Sequence, residues 1–379
     1  MTSTDQPDQT AGSARSDTKA TSGDDLDVVV IGGGQAGLAA GYFLRRAGAE
    51  FVILDAQTGP GGAWRHGWDS LRLFSPARYS PLPGWWMPDQ PGEPFPTGGH
   101  VRRYLEQYEQ RYDLPIRRPV EVTSVSAQSR HLAVTDGRRT WRAPAVISAT
   151  GSWRRPYVPA WPGRDLFTGT QIHTVSYHRA DRFTGRRVVV VGGGNSAAQI
   201  LAEVSTVADT TWVAQRQPRY LPDDVDGRVL FDVATRREAA TRAGGDDTGG
   251  VAGLGDIVMV PSVLDARGRD VLHAHPMFDR ITEHGIAWDD GSNLACDAII
   301  WCTGFRPDLA HLDALGLSTA SDGVPRTDGT RSLDEPRLHL LGYGDWTGTA
   351  SATLIGAART ARTCVTEILG RPARRTRSA

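Results

Sequence analysis

Two glycine-rich turns carry the chemistry that reads most directly from this chain. Gly32-Gly33-Gly34-Gln35-Ala36-Gly37 follows the run Val28-Val29-Val30-Ile31. Gly192-Gly193-Gly194-Asn195-Ser196-Ala197 follows a second valine run that starts at Arg187. In G-x-G-x-x-G each glycine meets a physical demand. The first makes the tight turn after a strand, the second lets backbone approach a pyrophosphate, and the third lets helix and strand pack closely. The helix that opens there offers free N–H groups and its positive dipole end to the phosphate. Gly32, Gly34 and Gly37 fill the three places in the first turn. Gly192, Gly194 and Ala197 fill them in the second, where alanine is still small enough for close packing.

The turns differ at the ends of the strands that follow them. Asp55 closes the run Phe51-Val52-Ile53-Leu54, downstream of Gly37. A carboxylate at that strand end can take both hydroxyls of an adenosine ribose. The second unit carries no acid at that place; Gln215-Arg216 follows Thr211-Trp212-Val213-Ala214. A carboxylate would repel a 2′-phosphate, whereas a guanidinium pairs with one in a bidentate way. The first turn therefore reads as an FAD site, from its N-terminal place and its acid, and the second as a nicotinamide site for NADPH rather than NADH. A nicotinamide at the second site can pass hydride to the flavin, the protein supplying geometry and electrostatics. The backbone of Gln35, Ala36, Asn195 and Ser196 completes the two cradles. Far along the chain, Gly344-Asp345 precedes a helix. That aspartate is placed to bind ribityl or phosphate oxygens, and the helix start to stabilise negative charge on a reduced flavin.

The elements that must position these residues follow from periodicity. Each turn joins a strand to an Ala/Leu-rich helix and then to a second buried strand, once from Gly32 and again from Gly192. That is a duplicated nucleotide-binding unit, so the expected fold is α/β, with two Rossmann-like domains and the second inserted in the first. The expected boundaries are 26–160 and 298–370 for the FAD domain and 161–297 for the NADPH domain. Helical spacing also marks residues 100–112, short strands fall near 120–126, 131–134 and 145–148, and 156–163 is a proline-rich connector. A strand at 298–301 leads into Cys302-Thr303-Gly304. A last strand at 338–341 leads into Gly342-Tyr343-Gly344-Asp345, and a final helix starts near Ala352. Between 61 and 96, seven aromatic residues interleave with seven prolines. This stretch reads as an ordered loop folded over something flat and apolar. The segment 218–270 is irregular and has no assigned role.

Composition narrows the partners. Lys and Arg number 42 against 43 Asp and Glu, a net charge of −1, which gives no electrostatic reason for a nucleic-acid partner. No apolar stretch reaches the roughly 20 residues that span a bilayer. The segment 1–25 lacks an apolar core and reads as a disordered leader; 371–379, with four arginines, reads as a basic tail. Three cysteines, Cys296, Cys302 and Cys364, cannot all pair. They fit a reducing, cytoplasmic setting. No cluster has metal-ligand spacing; His273 and His275 are two apart without partners. A homodimer is left open.

Taken together, these residues resemble the class B flavin-containing monooxygenases, and the likeness covers nearly all of residues 27–369. Gly61-Gly62-Ala63-Trp64 resembles that family's second flavin motif, which adds Gly62 and Trp64 to the FAD residues. Ser148-Ala149-Thr150-Gly151 and Cys302-Thr303-Gly304-Phe305 resemble its two hinge strands, which adds Thr150, Gly151, Thr303 and Gly304. Residues 167–177 read F-x-G-x-x-x-H-x-x-x-Y, with His173 and Tyr177 in its last two fixed places, the family fingerprint. Trp68-Asp69-Ser70-Leu71-Arg72-Leu73-Phe74-Ser75-Pro76 and residues 341–348 are most similar to flavin monooxygenases of bacterial arsenic-resistance operons, and more loosely to the plant YUCCA enzymes. The resemblance implies that NADPH reduces FAD, that O2 adds to give a flavin C4a-hydroperoxide, and that a small soft nucleophile takes one oxygen. The aromatic loop would exclude water from that step. Arg72, Phe74, His173 and Asn195 are the candidate residues around the reacting centre, His173 having a conformational role as its alternative.

One departure weighs against amine or sulfide oxidation. Members with those activities have an asparagine over the flavin in L-x-T-N-x-P, and Phe74 stands in that place here. A phenyl ring donates no hydrogen bond. Three other readings remain at this level: an NADPH oxidase or reductase without oxygen insertion, a thiol–disulfide flavin reductase, and a non-catalytic redox sensor. The second requires a redox dithiol, and the chain has no C-x-x-C.

Overall fold

The computed structural model describes residues 26–223, 257–321 and 323–370. The expected leader and basic tail lie outside the described residues, as does the middle of the segment 218–270. The chain opens with β1 (Val28–Ile31), α1 (Gln35–Ala47) and β2 (Phe51–Leu54). After the aromatic loop come α2 (Gly98–Arg111) and β3 (Ile116–Arg117), a meander of β4 (Ser124–Ala127), β5 (Leu132–Thr135) and β6 (Thr140–Ala143), and β7 (Ala145–Ser148). The second unit holds β8 (Thr170–His173), β9 (Arg187–Val191), α3 (Asn195–Val204), β10 (Asp209–Ala214), α4 (Pro261–Gly268) and β11 (Ala274–Pro276). A small antiparallel sheet of β12 (Arg280–Thr282), β13 (Gly285–Ala287) and β14 (Asn293–Ala295) precedes β15 (Ala298–Trp301). The chain then returns through β16 (Thr327–Asp328), β17 (Arg331–Ser332), β18 (Leu338–Leu340) and α5 (Leu354–Leu369).

The first sheet has the order β16-β17-β18-β7-β1-β2-β3, parallel from β18 to β3. The second is the all-parallel β11-β10-β9-β15-β8. Every residue of β1, β2, β7 and β15 is buried, which is why these runs, Ser148 at the end of β7 excepted, are apolar throughout rather than alternating. Each fully buried valine or isoleucine side chain contributes roughly 1.5–3 kcal/mol. α1 packs on α5 along small residues, and Ala357, Ala361 and Cys364 are fully buried there. α1 stops at Gly48, whose φ of 73° is the left-handed cap conformation.

The inserted arrangement is the expected one, with one boundary moved. The sequence reading places β15 with the first domain, but it hydrogen-bonds between β9 and β8 in the second sheet. An all-apolar strand needs a neighbour on each edge, and these two provide them. The second unit therefore runs through Trp301. β6 and the sheet β12–β14 add strands that periodicity does not mark. Part of the irregular segment is ordered as well: Ile257–Val260 is buried and leads into α4, which packs against α3.

Candidate functional site

Both glycine turns are shaped by close backbone approach. Gly32 has φ +108°, and a Cβ there would lie 2.3 Å from the Ala149 carbonyl oxygen. Gly192 has φ +140°, and its Cβ would lie 2.3 Å from the Cys302 oxygen. Each first glycine thus lies against the hinge segment that follows the neighbouring central strand. A Cβ on Gly37 would sit 1.9 Å from the Gly32 oxygen, the close packing demanded of the third place. The second glycines face space instead: a Cβ on Gly194 would meet nothing within 4 Å, and one on Gly34 only the Gly62 Cα at 4.0 Å. The helix starts behind them carry no side-chain cap and no acid in the first turn. Two helix N-termini with uncapped donors opening into free space fit pyrophosphate groups.

Asp55 directly follows β2 and is almost fully buried. At this strand end a carboxylate is expected to take both ribose hydroxyls. In the structure Oδ2 accepts from Arg118 Nε at 2.6 Å, and Oδ1 from the Gln57 N–H at 3.3 Å. Arg118 in turn donates through both terminal nitrogens to Glu109 of α2, at 2.8 and 2.6 Å. No local pattern in the sequence marks Arg118 or Glu109; β3 brings one beside β2 and α2 brings the other. Burial raises the Glu109 pKa, opposed by its bond to Arg118. A cavity of about 280 Å3 bounded by Gly32, Asp55, Thr150 and His311 opens here. It shares Ala56, Gln57, Glu121 and Arg154 with a neighbouring cavity of about 470 Å3 that reaches His66, Trp153 and Val175.

Three separated segments meet at the first turn. Gln35 accepts from Trp64 Nε1 at 2.9 Å and donates to the Ala352 carbonyl at 2.6 Å. It ties the second glycine motif and the start of the C-terminal helix to α1. Gly62 has φ +51° and abuts Gly34. Thr150 donates to the Asp308 carbonyl at 2.6 Å and meets the Tyr343 hydroxyl at 2.7 Å; that hydroxyl also meets Ser148, which contacts His311. Gly151, with φ +70°, follows directly. Asp345 after Gly344 is exposed, and its Oδ1 accepts from the Ala350 N–H at 3.0 Å. Part of its acceptor capacity thus caps the turn before α5.

The hinge gathers another group. His173 is buried at the end of β8. Its Nδ1 accepts from the Val175 N–H at 3.2 Å, and Nε2 lies 3.0 Å from the Gly304 carbonyl. Nδ1 has no proton in that arrangement, so Nε2 carries it and donates. Burial lowers the pKa, and the ring meets Phe305 edge-on at 5.0 Å. Phe305 stacks on Trp153, and Thr303 donates to the Tyr157 carbonyl. Nε2 of His173 is therefore spent on the segment that leaves β15, and Nδ1 on the chain's own turn at Val175.

The remaining candidates lie along the second unit. Asn195 Oδ1 accepts from the Val258 N–H at 2.9 Å. Ser196 is half-buried in the first turn of α3, and Arg216 is exposed beyond β10. Arg72 forms a two-bond ion pair with Glu93, at 3.2 and 2.6 Å, and its backbone N–H reaches Gln199 of α3 at 3.5 Å. Phe74, Trp68, Leu71 and Phe95 pack into the second unit's core, whereas Leu73, Ala77 and Leu82 pack into the first. The aromatic loop is thus a strap between the domains. Tyr104 and Tyr108 donate to the Trp85 and Pro83 carbonyls, fastening it to α2. The three cysteines form no disulfide, and burial pushes each thiol up to about 12. Among the described residues no group of three potential ligands is placed to hold a metal, and no helix is long and apolar enough to cross a membrane.

Fold and site together define a two-dinucleotide oxidoreductase, with one nucleotide unit set inside the other. The chain belongs to the pyridine nucleotide-disulphide oxidoreductase family, whose model matches residues 29–242, and within it to the flavin-containing monooxygenases. It is similar to the flavin-containing monooxygenase from Stenotrophomonas maltophilia, with 52% identity, a TM-score of 0.83, and coverage of 92% of this chain and 99% of that one. An uncharacterized CzcO-like oxidoreductase of Geobacillus kaustophilus is 29% identical, covering 84% of this chain and 93% of that protein. Indole-3-pyruvate monooxygenase YUCCA8 of Oryza sativa subsp. japonica is 26% identical over 90% of each.

Proposed function

We propose that this enzyme is an NADPH-dependent FAD monooxygenase that inserts one atom of O2 into a small soft-nucleophile substrate. The observation that carries the reading is the pair of uncapped helix starts, one beside a buried carboxylate and the other beside an exposed arginine. Gly32, Gly34, Gln35, Ala36 and Gly37 hold the FAD pyrophosphate, Asp55 the adenosine ribose, and Gly62, Trp64, Thr150, Gly151, Gly344 and Asp345 the remainder. Gly192, Gly194, Asn195, Ser196 and Ala197 hold the NADPH pyrophosphate, and Arg216 its 2′-phosphate. Bound FAD supplies the redox and oxygen chemistry. The chain's own contribution is to orient the two dinucleotides and, through the strap that carries Arg72 and Phe74, to keep water out. His173, Thr303 and Gly304 hold the relative setting of the domains. The 52% identity to a flavin-containing monooxygenase supports oxygenation over plain reduction. The unpaired thiols, Cys296 and Cys364 buried and Cys302 half-buried, all pushed up by burial, speak against disulfide reduction.

The test is NADPH consumption screened against trivalent arsenicals, thioethers, amines and ketones, with peroxide measured in parallel and 18O2 as oxidant. Arsenicals belong in the panel because of the resemblance of residues 68–76 and 341–348. The expected outcome is a substrate that accelerates NADPH consumption and emerges carrying one 18O atom. Peroxide that matches NADPH consumed with every substrate would make the enzyme an oxidase instead.

A further inference from the structure

Glu109, Arg118 and Asp55 form a chain of ion pairs whose side chains retain only 11%, 14% and 6% of their exposure. Arg118 spends three N–H groups on it: Nε on Asp55 at 2.6 Å, and the two terminal nitrogens on the two oxygens of Glu109. A guanidinium held by two terminal bonds has its third direction fixed, so its Nε–H aims along one line. Asp55 is also clamped by its backbone. Its N–H donates to the Arg117 carbonyl at 3.0 Å, and its own carbonyl accepts from the Val120 N–H at 2.9 Å. With Oδ2 on Arg118 and Oδ1 on the Gln57 N–H, the carboxylate cannot rotate, and each oxygen keeps one acceptor direction unspent. The middle glycine of the first turn belongs to the same device. A Cβ on Gly33 would lie 2.5 Å from Asp55 Oδ2 and 2.9 Å from Arg118 Nη2. The counterpart Gly193 meets only ordinary contacts, at 3.7 Å and beyond. Two carboxylates around one guanidinium leave an excess negative charge in a nearly closed space, and that charge calls for further O–H donors.

We propose that Arg118, braced by Glu109, is a positioning residue for the adenosine ribose: it locks Asp55 so that its free acceptor directions meet the vicinal hydroxyls. The inference rests on the FAD reading of the first turn. It is tested by titrating deflavinated protein with FAD and with its 2′-deoxyadenosine analogue, following flavin fluorescence, in wild type, Arg118→Met and Glu109→Gln. A hydroxyl bonded to an aligned carboxylate should give the wild type a preference for FAD of about tenfold or more. In Arg118→Met that preference should fall close to unity, because the hydroxyl no longer finds an aligned partner. Glu109→Gln, which keeps the shape and the Arg118–Asp55 bond, should lower it in part. A merely structural role would weaken both ligands equally and leave the preference intact; that result in both variants overturns the positioning role. A wild type that binds no FAD overturns the cofactor reading along with it.

Discussion

Glycine at the second position of each turn has a different cause in the two units, though both turns read Gly-Gly-Gly. Gly33 is required because the Asp55 carboxylate and the Arg118 head occupy the space of its side chain; Gly193 has ordinary room. Gly33→Ala should therefore push Asp55 out of line and weaken FAD binding by about tenfold or more, the loss of one charge-assisted bond. Gly193→Ala should change the NADPH KM by less than about threefold. Equilibrium FAD binding and steady-state kinetics read the two; equal damage from both substitutions would count against the asymmetry. The glycines of the three named places were legible, since each answers a known backbone demand. The reason for Gly33 was not, because its causes, Asp55 and Arg118, stand far downstream in the chain and meet it only in space.

At the scale of elements, the crossing between the domains depends on what ends β8 and β15. These strands pair in register, Trp301 opposite His173, so the fingerprint histidine arrives beside the segment that leaves the second sheet. His173→Ala removes the Gly304 and Val175 bonds and the edge contact with Phe305. The expected cost is about 1–3 kcal/mol of folding stability, seen as a lower midpoint in urea. FAD affinity should hold, while a larger share of NADPH electrons ends as peroxide because the domains are less well set. A chemical role would show otherwise: normal coupling, with the rate of the oxygenation step itself reduced. The strap of residues 61–96 works on the same crossing. Its aromatic and proline content signalled an ordered loop, and its residues pack into the two cores and onto α2.

For the molecule as a whole, buried neutral histidines set the acid limb of stability. Burial lowers His311 to about 4 and His339 to about 4, with His173 lowered in the same direction. Unfolded histidine titrates near 6.5, so the unfolded chain binds more protons between that pH and the folded values. Their stabilisation is therefore complete above about pH 6.5 and is lost progressively as pH falls toward 4, by on the order of 3 kcal/mol each for His311 and His339. Urea unfolding at pH 7, 5.5 and 4.5 should show that decline. His311→Asn and His339→Asn should each flatten it while lowering stability at pH 7. A flat profile down to pH 4.5 in the parent protein would sink the account.

Sequence by itself determined the duplicated nucleotide-binding plan, the places of both turns, the acid at the end of one second strand and the arginine at the end of the other. These rest on short-range demands: strand burial, turn conformation and helix start are all settled within one strand–helix–strand unit. Tertiary structure alone decided which sheet took β15, because an apolar strand declares burial and not its neighbours. It also decided that His173 spends Nε2 on the segment after β15, that the strap bridges two cores, and that Asp55 is held by Arg118 and Glu109. Each of these is a contact between residues whose separation in the chain carries no periodicity. Only the crossing of α2, β2 and β3 brings that carboxylate, guanidinium and second carboxylate to one point.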